Sequence, residues 1–286
     1  MKRKLGICCS FPLLFSIALL AIPRPARAQS AEEIVRKVVG NELWADSHDH
    51  TRWMYRDAYQ SPDKDLVKMV IETPQGNLSM VTEDHGRPPG AQEHQADLDR
   101  IQRMLSDSSF RALQKKNAQH DGQQARQMLT LLPDAFVWTI VNRDADSVTL
   151  SFHPNPSFSP GSMSAKVLAA MSGTMVVNEK AMRLKALRGR LDQPVEFAWG
   201  LLGHLDAGGT FSIERAEVGD GSWQITGMHV HISGHALFFK TIGDQEDEVT
   251  SDYHHVPDDV TLDKAAEMLR NGEIARILGV GNHAGV

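Results

Sequence analysis

Cysteine is the first scarcity: only Cys8 and Cys9 occur among 286 residues. The segment around them reads as a secretory leader. Lys2, Arg3 and Lys4 form a basic start, Leu13 to Ala21 an apolar stretch, and Ala26-Arg27-Ala28 a small-x-small cleavage signal. Cleavage near Ala28 leaves a chain without a thiol, so disulfides, thiolate nucleophiles and cysteine-bound zinc are excluded even in the oxidising periplasmic or extracellular space to which it is sent. Neither cysteine suits lipid attachment, since both precede most of the apolar stretch and no small residue stands directly before Cys8. The expected product is released, not anchored.

Positive charge is scarce too. Five of the 30 basic residues and none of the 36 acidic ones lie in residues 1–28, which takes the net charge from −6 to −11. Nucleic acid and anionic bilayer surfaces are therefore excluded as main partners. Outside the leader no run of roughly 18 apolar residues occurs, so no membrane-spanning helix is expected.

Catalytic signatures are missing as well. There is no G-x-S-x-G and no P-loop, and Gly200-Leu201-Leu202-Gly203 and Gly208-Gly209 lack the strand-turn-helix setting of a dinucleotide site. No cofactor is expected. Thirty-six acids supply many carboxylate pairs without marking any two for glycoside hydrolysis.

What is present suffices for a core. The 258 residues after position 28, in a chain 41% hydrophobic, read as one domain, 29–286, with a helical insertion at about 90–133. Ser30 and Glu33 form a capping box ahead of Ile34, Val38 and Leu43 at helical spacing. Val67, Met69 and Ile71 alternate, Pro74-Gln75-Gly76-Asn77 turns the chain, and Leu78 to Val81 returns it as a hairpin.

Residues 91 to 132 are helical, ending at Pro133. Phe136 to Val141 and Ser147 to Phe152 are strands, the second running into an extended loop with Pro154, Pro156 and Pro160. Gly173 to Val256 reads as consecutive short strands, and Leu262 to Leu269 as a last helix capped by Thr261. The expected class is α+β, a strongly curled antiparallel sheet or half-open barrel with an N-terminal helix, a helical insertion and a C-terminal helix.

One hairpin can be read in register. Asp220-Gly221 suits a type I′ turn, and cross-strand partners then pair Val218 with Trp223, Ala216 with Ile225, Ile213 with Met228 and Phe211 with Val230. The apolar parity changes on both strands between Ile213 and Ala216 and between Ile225 and Met228, with Gly227 at the break. Paired bulges would bend the ribbon; otherwise it buries one face near its turn and the other further in. A second turn around Ser233-Gly234-His235 would lead into Leu237 and Phe239, giving three strands one apolar surface. Such a surface suits a cavity for an apolar ligand, or equally a packed core.

Histidine is the one unusual count, at 13. His229 and His231 would share one side of a strand, as two zinc ligands do, but no third ligand is marked. Residues beside the pair on that face, Phe238 or Lys240, do not favour a cation, so no metal site is assigned. His48-Asp49-His50 lacks the later Asp-His that would make it a metallohydrolase motif. His254 and His255 would point to opposite sides of a strand, and the acidic run Asp244 to Glu248 reads as a solvated turn.

A leader, an early amphipathic helix and a curled sheet with a helical interruption resemble the periplasmic lipoprotein-carrier superfamily, which includes the Lol-type carrier and receptor and an envelope-stress regulator with a similar half-barrel. Ser172 to Leu184 is similar to the family's strand-turn-strand. The resemblance implies an unclosed barrel whose concave apolar face holds acyl chains or a lipidated partner without catalysis. Carried across, the lining residues would be Met175, Val177, Leu184, Phe211, Ile213, Met228 and Val230. The segment Pro88 to Pro133 and the Pro154 to Pro160 loop depart from the family pattern. A zinc-dependent hydrolase using His229 and His231, and a purely structural or regulatory envelope module, are the other two classes.

Overall fold

A computed structural model describes residues 29–197, 203–236 and 239–271, with the backbone alone for 197, 235–236 and 239–244. The leader at 1–28 lies outside the described residues. The first helix, α1 (Ala31–His48), begins as its capping box requires. Glu33 N donates to Ser30 Oγ at 3.2 Å and Ser30 N to Glu33 Oε2 at 2.9 Å. Ile34, Val35 and Val38 form its buried stripe.

Among the described residues twelve strands follow: β1 (Arg52–Ser61), β2 (Lys64–Ile71), β3 (Leu78–Asp84), β4 (Phe136–Arg143), β5 (Ser147–Pro154), β6 (Met171–Asn178), β7 (Arg183–Leu191), β8 (Val195–Phe197), β9 (Gly203–Leu205), β10 (Thr210–Gly219), β11 (Ser222–Ala236) and β12 (Phe239–Val256). They make one antiparallel sheet in the order β3-β2-β1-β12-β11-β10-β7-β6-β5-β4, with β9 attached to β11 and β8 to β9. Helices α2 (Ala91–Ser106) and α3 (Ser108–Ala135) lie in sequence between β3 and β4, α4 (Met163–Leu168) precedes β6, and α5 (Leu262–Arg270) follows β12. The class is α+β. Among the described residues no helix is long and apolar enough to cross a membrane.

The sheet is open, with β3 and β4 at its edges, and is neither closed nor strongly curled. Its registers show why one concave apolar face does not form. A cross-strand row runs through Leu150, Met175, Leu187, Ile213, Met228, Glu248, Tyr59 and Leu66. At Leu150, Met175 and Leu187 this face is core, packed with α1 and α3 residues such as Ile34 and Leu132. At Glu248 and Tyr59 it carries a carboxylate and a phenol instead. There the opposite face is buried, with Met54, Ile71 and Leu78 packing against Ile101 and Met104 of α2 and Leu269 of α5. Side chains alternate across a strand, so Met54 and Tyr59 point to opposite sides. The sheet thus buries one face at one end and the other face at the other end.

The Asp220-Gly221 turn forms as expected, with φ of 51° and 77°. Phe211 pairs with Val230 and Ile213 with Met228, but a bulge after Glu214 slips the next pairs until a second one, between Glu217 and Gly219, restores the register at Gly219–Ser222. Ile225 therefore pairs with Arg215, not Ala216, and Trp223 with Glu217, not Val218. That slip accounts for the change in apolar parity on β11, keeping Ile225 and Trp223 on the Met228 face; on β10, Arg215 and Glu217 continue the Ile213 face and Ala216 turns to the other side.

Several other expectations are corrected. Ser233-Gly234-His235 is not a turn: these residues continue β11, pairing with Gly243, Ile242 and Thr241. Leu237 and Phe238 lie outside the described residues, as does the side chain of Lys240. Asp244 to Glu248 is strand, not solvated turn, because every one of these residues pairs with β11. Pro133 sits inside the last turn of α3, which ends at Ala135. The run from 91 to 132 divides at Asp107, whose carboxylate caps α3 by accepting from Ser109 N at 2.8 Å and Phe110 N at 3.0 Å. Strand β1 and helix α4 carry no sequence signal that marks them in advance.

Candidate functional site

The seven residues expected to line a cavity divide into two groups. Met175, Val177 and Leu184 are buried in the α1/α3 core and line neither of the two cavities beside the sheet. Phe211, Ile213, Met228 and Val230 are half-buried. The Phe211 ring lies against Gly189, its cross-strand partner, and covers the place a side chain would take. Of the seven, Met228 alone borders one of these two cavities.

His229 and His231 do share one side of β11, as expected. Both turn toward one carboxylate: His229 Nδ1 lies 2.5 Å from Asp247 Oδ1, and His231 Nε2 lies 3.1 Å from the same oxygen. The hydrogen bond from His229 holds Asp247 below the ordinary carboxylate range; desolvation opposes it, and the hydrogen bond from His231 adds to it. Among the described residues no group of three or more histidine, cysteine, aspartate or glutamate side chains is placed to hold a metal ion.

The cavity bordered by Met228 has a volume of about 230 Å³ and is lined also by Tyr55, Glu72, Glu248 and Tyr253. A bulge in β12 builds it. Asp252 takes a left-handed φ of 54° between the pairs Met54–His254 and Arg56–Ser251. Tyr253 then stacks on Tyr55 with ring centroids 5.1 Å apart and donates to Ile225 O at 2.8 Å. Burial pushes the Glu72 carboxyl above its ordinary range, although it accepts from Trp53 N at 3.1 Å. Burial raises Glu248 as well, reinforced by the charge of Asp57. Burial likewise raises the two phenols. Two carboxyls so shifted can hold protons nearer neutrality than free ones.

The larger cavity, of about 580 Å³, opens between α2, α3 and the β2–β3 turn. This volume falls in the range of small-molecule sites. Buried Leu78, Ile101 and Met104 form its floor, with Pro74, Phe110 and Ala118 continuing the apolar wall. Gln114, Lys115, Ala118 and Gln119 share one face of α3 by their helical spacing. The wall is held to the sheet edge by the carboxylate of Asp97, which is buried. It accepts from Val81 N at 2.6 Å and pairs with Arg100 at 2.7 Å, while Arg100 also donates to Ser79 O at 2.9 Å. Side chains of α2 thereby satisfy backbone groups on the outer edge of β3.

Nothing in the residue pattern announces this cavity. Its wall residues run from Arg52 to Arg126 without a motif, and only the docking of α2 and α3 on the hairpin brings them together. No family model, no curated protein and no solved structure matches the chain.

Proposed function

We propose that the protein is an exported, non-enzymatic binding protein of the cell envelope that holds an apolar ligand, and that the ligand occupies the cavity between the helical insertion and the β2–β3 hairpin. The carrying observation is its floor of buried Leu78, Ile101 and Met104 beneath about 580 Å³ of space. The leader signal supports export to the periplasm or beyond. Kinship with the lipoprotein-carrier half-barrels, with acyl chains or a lipidated protein as cargo, is part of the same proposal. Helix α1 lying on one face of a long open antiparallel sheet supports it.

The ligand site thereby moves from the sheet interior to the insertion. Met175, Val177 and Leu184 become core residues, with no part in binding. A neutral fluorophore that brightens in apolar surroundings, N-phenyl-1-naphthylamine, tests this. The wild-type chain should bind and brighten it, and Ala118→Trp, which fills the cavity from an exposed helix position, should abolish the signal. Equal signals from the two chains, or none from the wild type, would overturn the assignment.

A further inference from the structure

Arg52, Arg100, Lys115 and Arg126 all border the larger cavity, and no aspartate or glutamate does. This is the reverse of the chain as a whole, where acids outnumber bases by six. Two of the four cations are already matched from outside the cavity wall. Arg100 pairs with Asp97 at 2.7 Å, and Arg126 pairs with Asp46 at 2.9 Å.

The other two are not matched in this way. Arg52 makes no ion pair among the described residues; its Nε is buried in the wall, and its charge acts on Glu72 from a distance. Lys115 makes no ion pair among the described residues and sits on the α3 face that borders the cavity. An apolar floor with cations and no carboxylate at its rim is the complement of a molecule with an apolar body and one anionic end.

We infer that the ligand is an amphiphilic anion whose carboxylate or phosphate head is held by Arg52 and Lys115 while its apolar body lies over Leu78, Ile101 and Met104. This rests on the reading of the cavity as an apolar-ligand site and adds the charge of the ligand to it. Arg52 presents a planar fork suited to two oxygens of one head, and Lys115 a mobile point charge.

Titration calorimetry on the full chain with four probes of equal tail length tests the inference: laurate, dodecyl phosphate, dodecanol and dodecyltrimethylammonium. The anions should bind about tenfold tighter than dodecanol, the worth of one charge-assisted hydrogen bond, and the cationic probe more weakly still. Arg52→Gln and Lys115→Gln should each remove much of that preference, weakening the anions more than dodecanol. Lys115 is exposed on a helix, so its variant folds even if that of Arg52 does not. The tighter of laurate and dodecyl phosphate assigns the head to a fatty acid or to a lipid phosphate. Dodecanol binding as tightly as the anions, or an anion preference that survives both substitutions, overturns the inference and leaves the apolar site standing. Failure of all four probes to bind overturns both.

Discussion

Glu42 of α1 and Arg183 of β7 meet through two parallel hydrogen bonds, 3.0 Å from Nε to Oε1 and 2.9 Å from a terminal nitrogen to Oε2. Leu184 N adds a third at 2.8 Å, and Arg215 of β10 pairs with the same carboxylate. Burial lowers the Arg215 pKa from its usual value, and Glu42 opposes that shift. One carboxylate on a helix therefore holds two strands of the sheet beneath it.

Removing that charge should be among the most damaging single changes in the chain. Glu42→Gln keeps the shape but takes from two largely buried guanidinium groups the carboxylate that bonds to both, leaving Asp46 and Asp49 to act on them through charge alone, a loss of about 3 kcal/mol or more. Urea unfolding should show a lower midpoint with an unchanged slope.

The Glu72 carboxyl predicts a pH dependence of definite sign. Its folded pKa lies above the unfolded value because burial disfavours the charged form. The cost of charging it is therefore absent below the unfolded value and complete above the folded one. Glu72→Gln, which retains an oxygen to accept from Trp53 N, should raise the melting temperature at pH 7 to 8 and leave it unchanged below about pH 4. A difference that is constant with pH would mean that Glu72 does not titrate in this way.

Asp97 should protect one particular amide. In Asp97→Ala the Val81 N–H loses its acceptor at the outer edge of β3, so its hydrogen exchange should accelerate markedly while amides in the β5–β7 core stay protected. The global cost should be about 1 to 3 kcal/mol, that of an unsatisfied buried group. An unchanged Val81 exchange rate would mean that the Asp97 carboxylate is not what closes that edge.

The histidine pair predicts a metal result. Both rings turn to Asp247 rather than to a shared open point, so protein purified without chelators should contain no stoichiometric zinc, and zinc should not raise its melting temperature. One zinc per chain would restore the hydrolase reading of His229 and His231.

Much of the local structure is legible in the residues. The Ser30 capping box, the Asp220-Gly221 turn and the hairpin through Pro74 to Asn77 each rest on neighbours in sequence, and each forms. Strand β1 escapes because both its faces are in use: Met54 packs on α2 and α5 residues while Trp53 meets Tyr253, so no simple alternation of apolar and polar marks it. The register beyond Glu214 depends on a bulge whose position a parity change can suggest but not fix. The larger cavity is invisible for a different reason. Its cations are separated by up to 74 positions, and only the tertiary docking of α2 and α3 on β3 gathers them.

Whether the space beside α2 and α3 carries an apolar ligand is decided by native mass spectrometry of the chain recovered from its own cells, before and after delipidation. The wild type should carry an added mass of lipid size that delipidation removes and that Ala118→Trp never acquires. Identical masses for all samples, with no lipid in the extract, would contradict it.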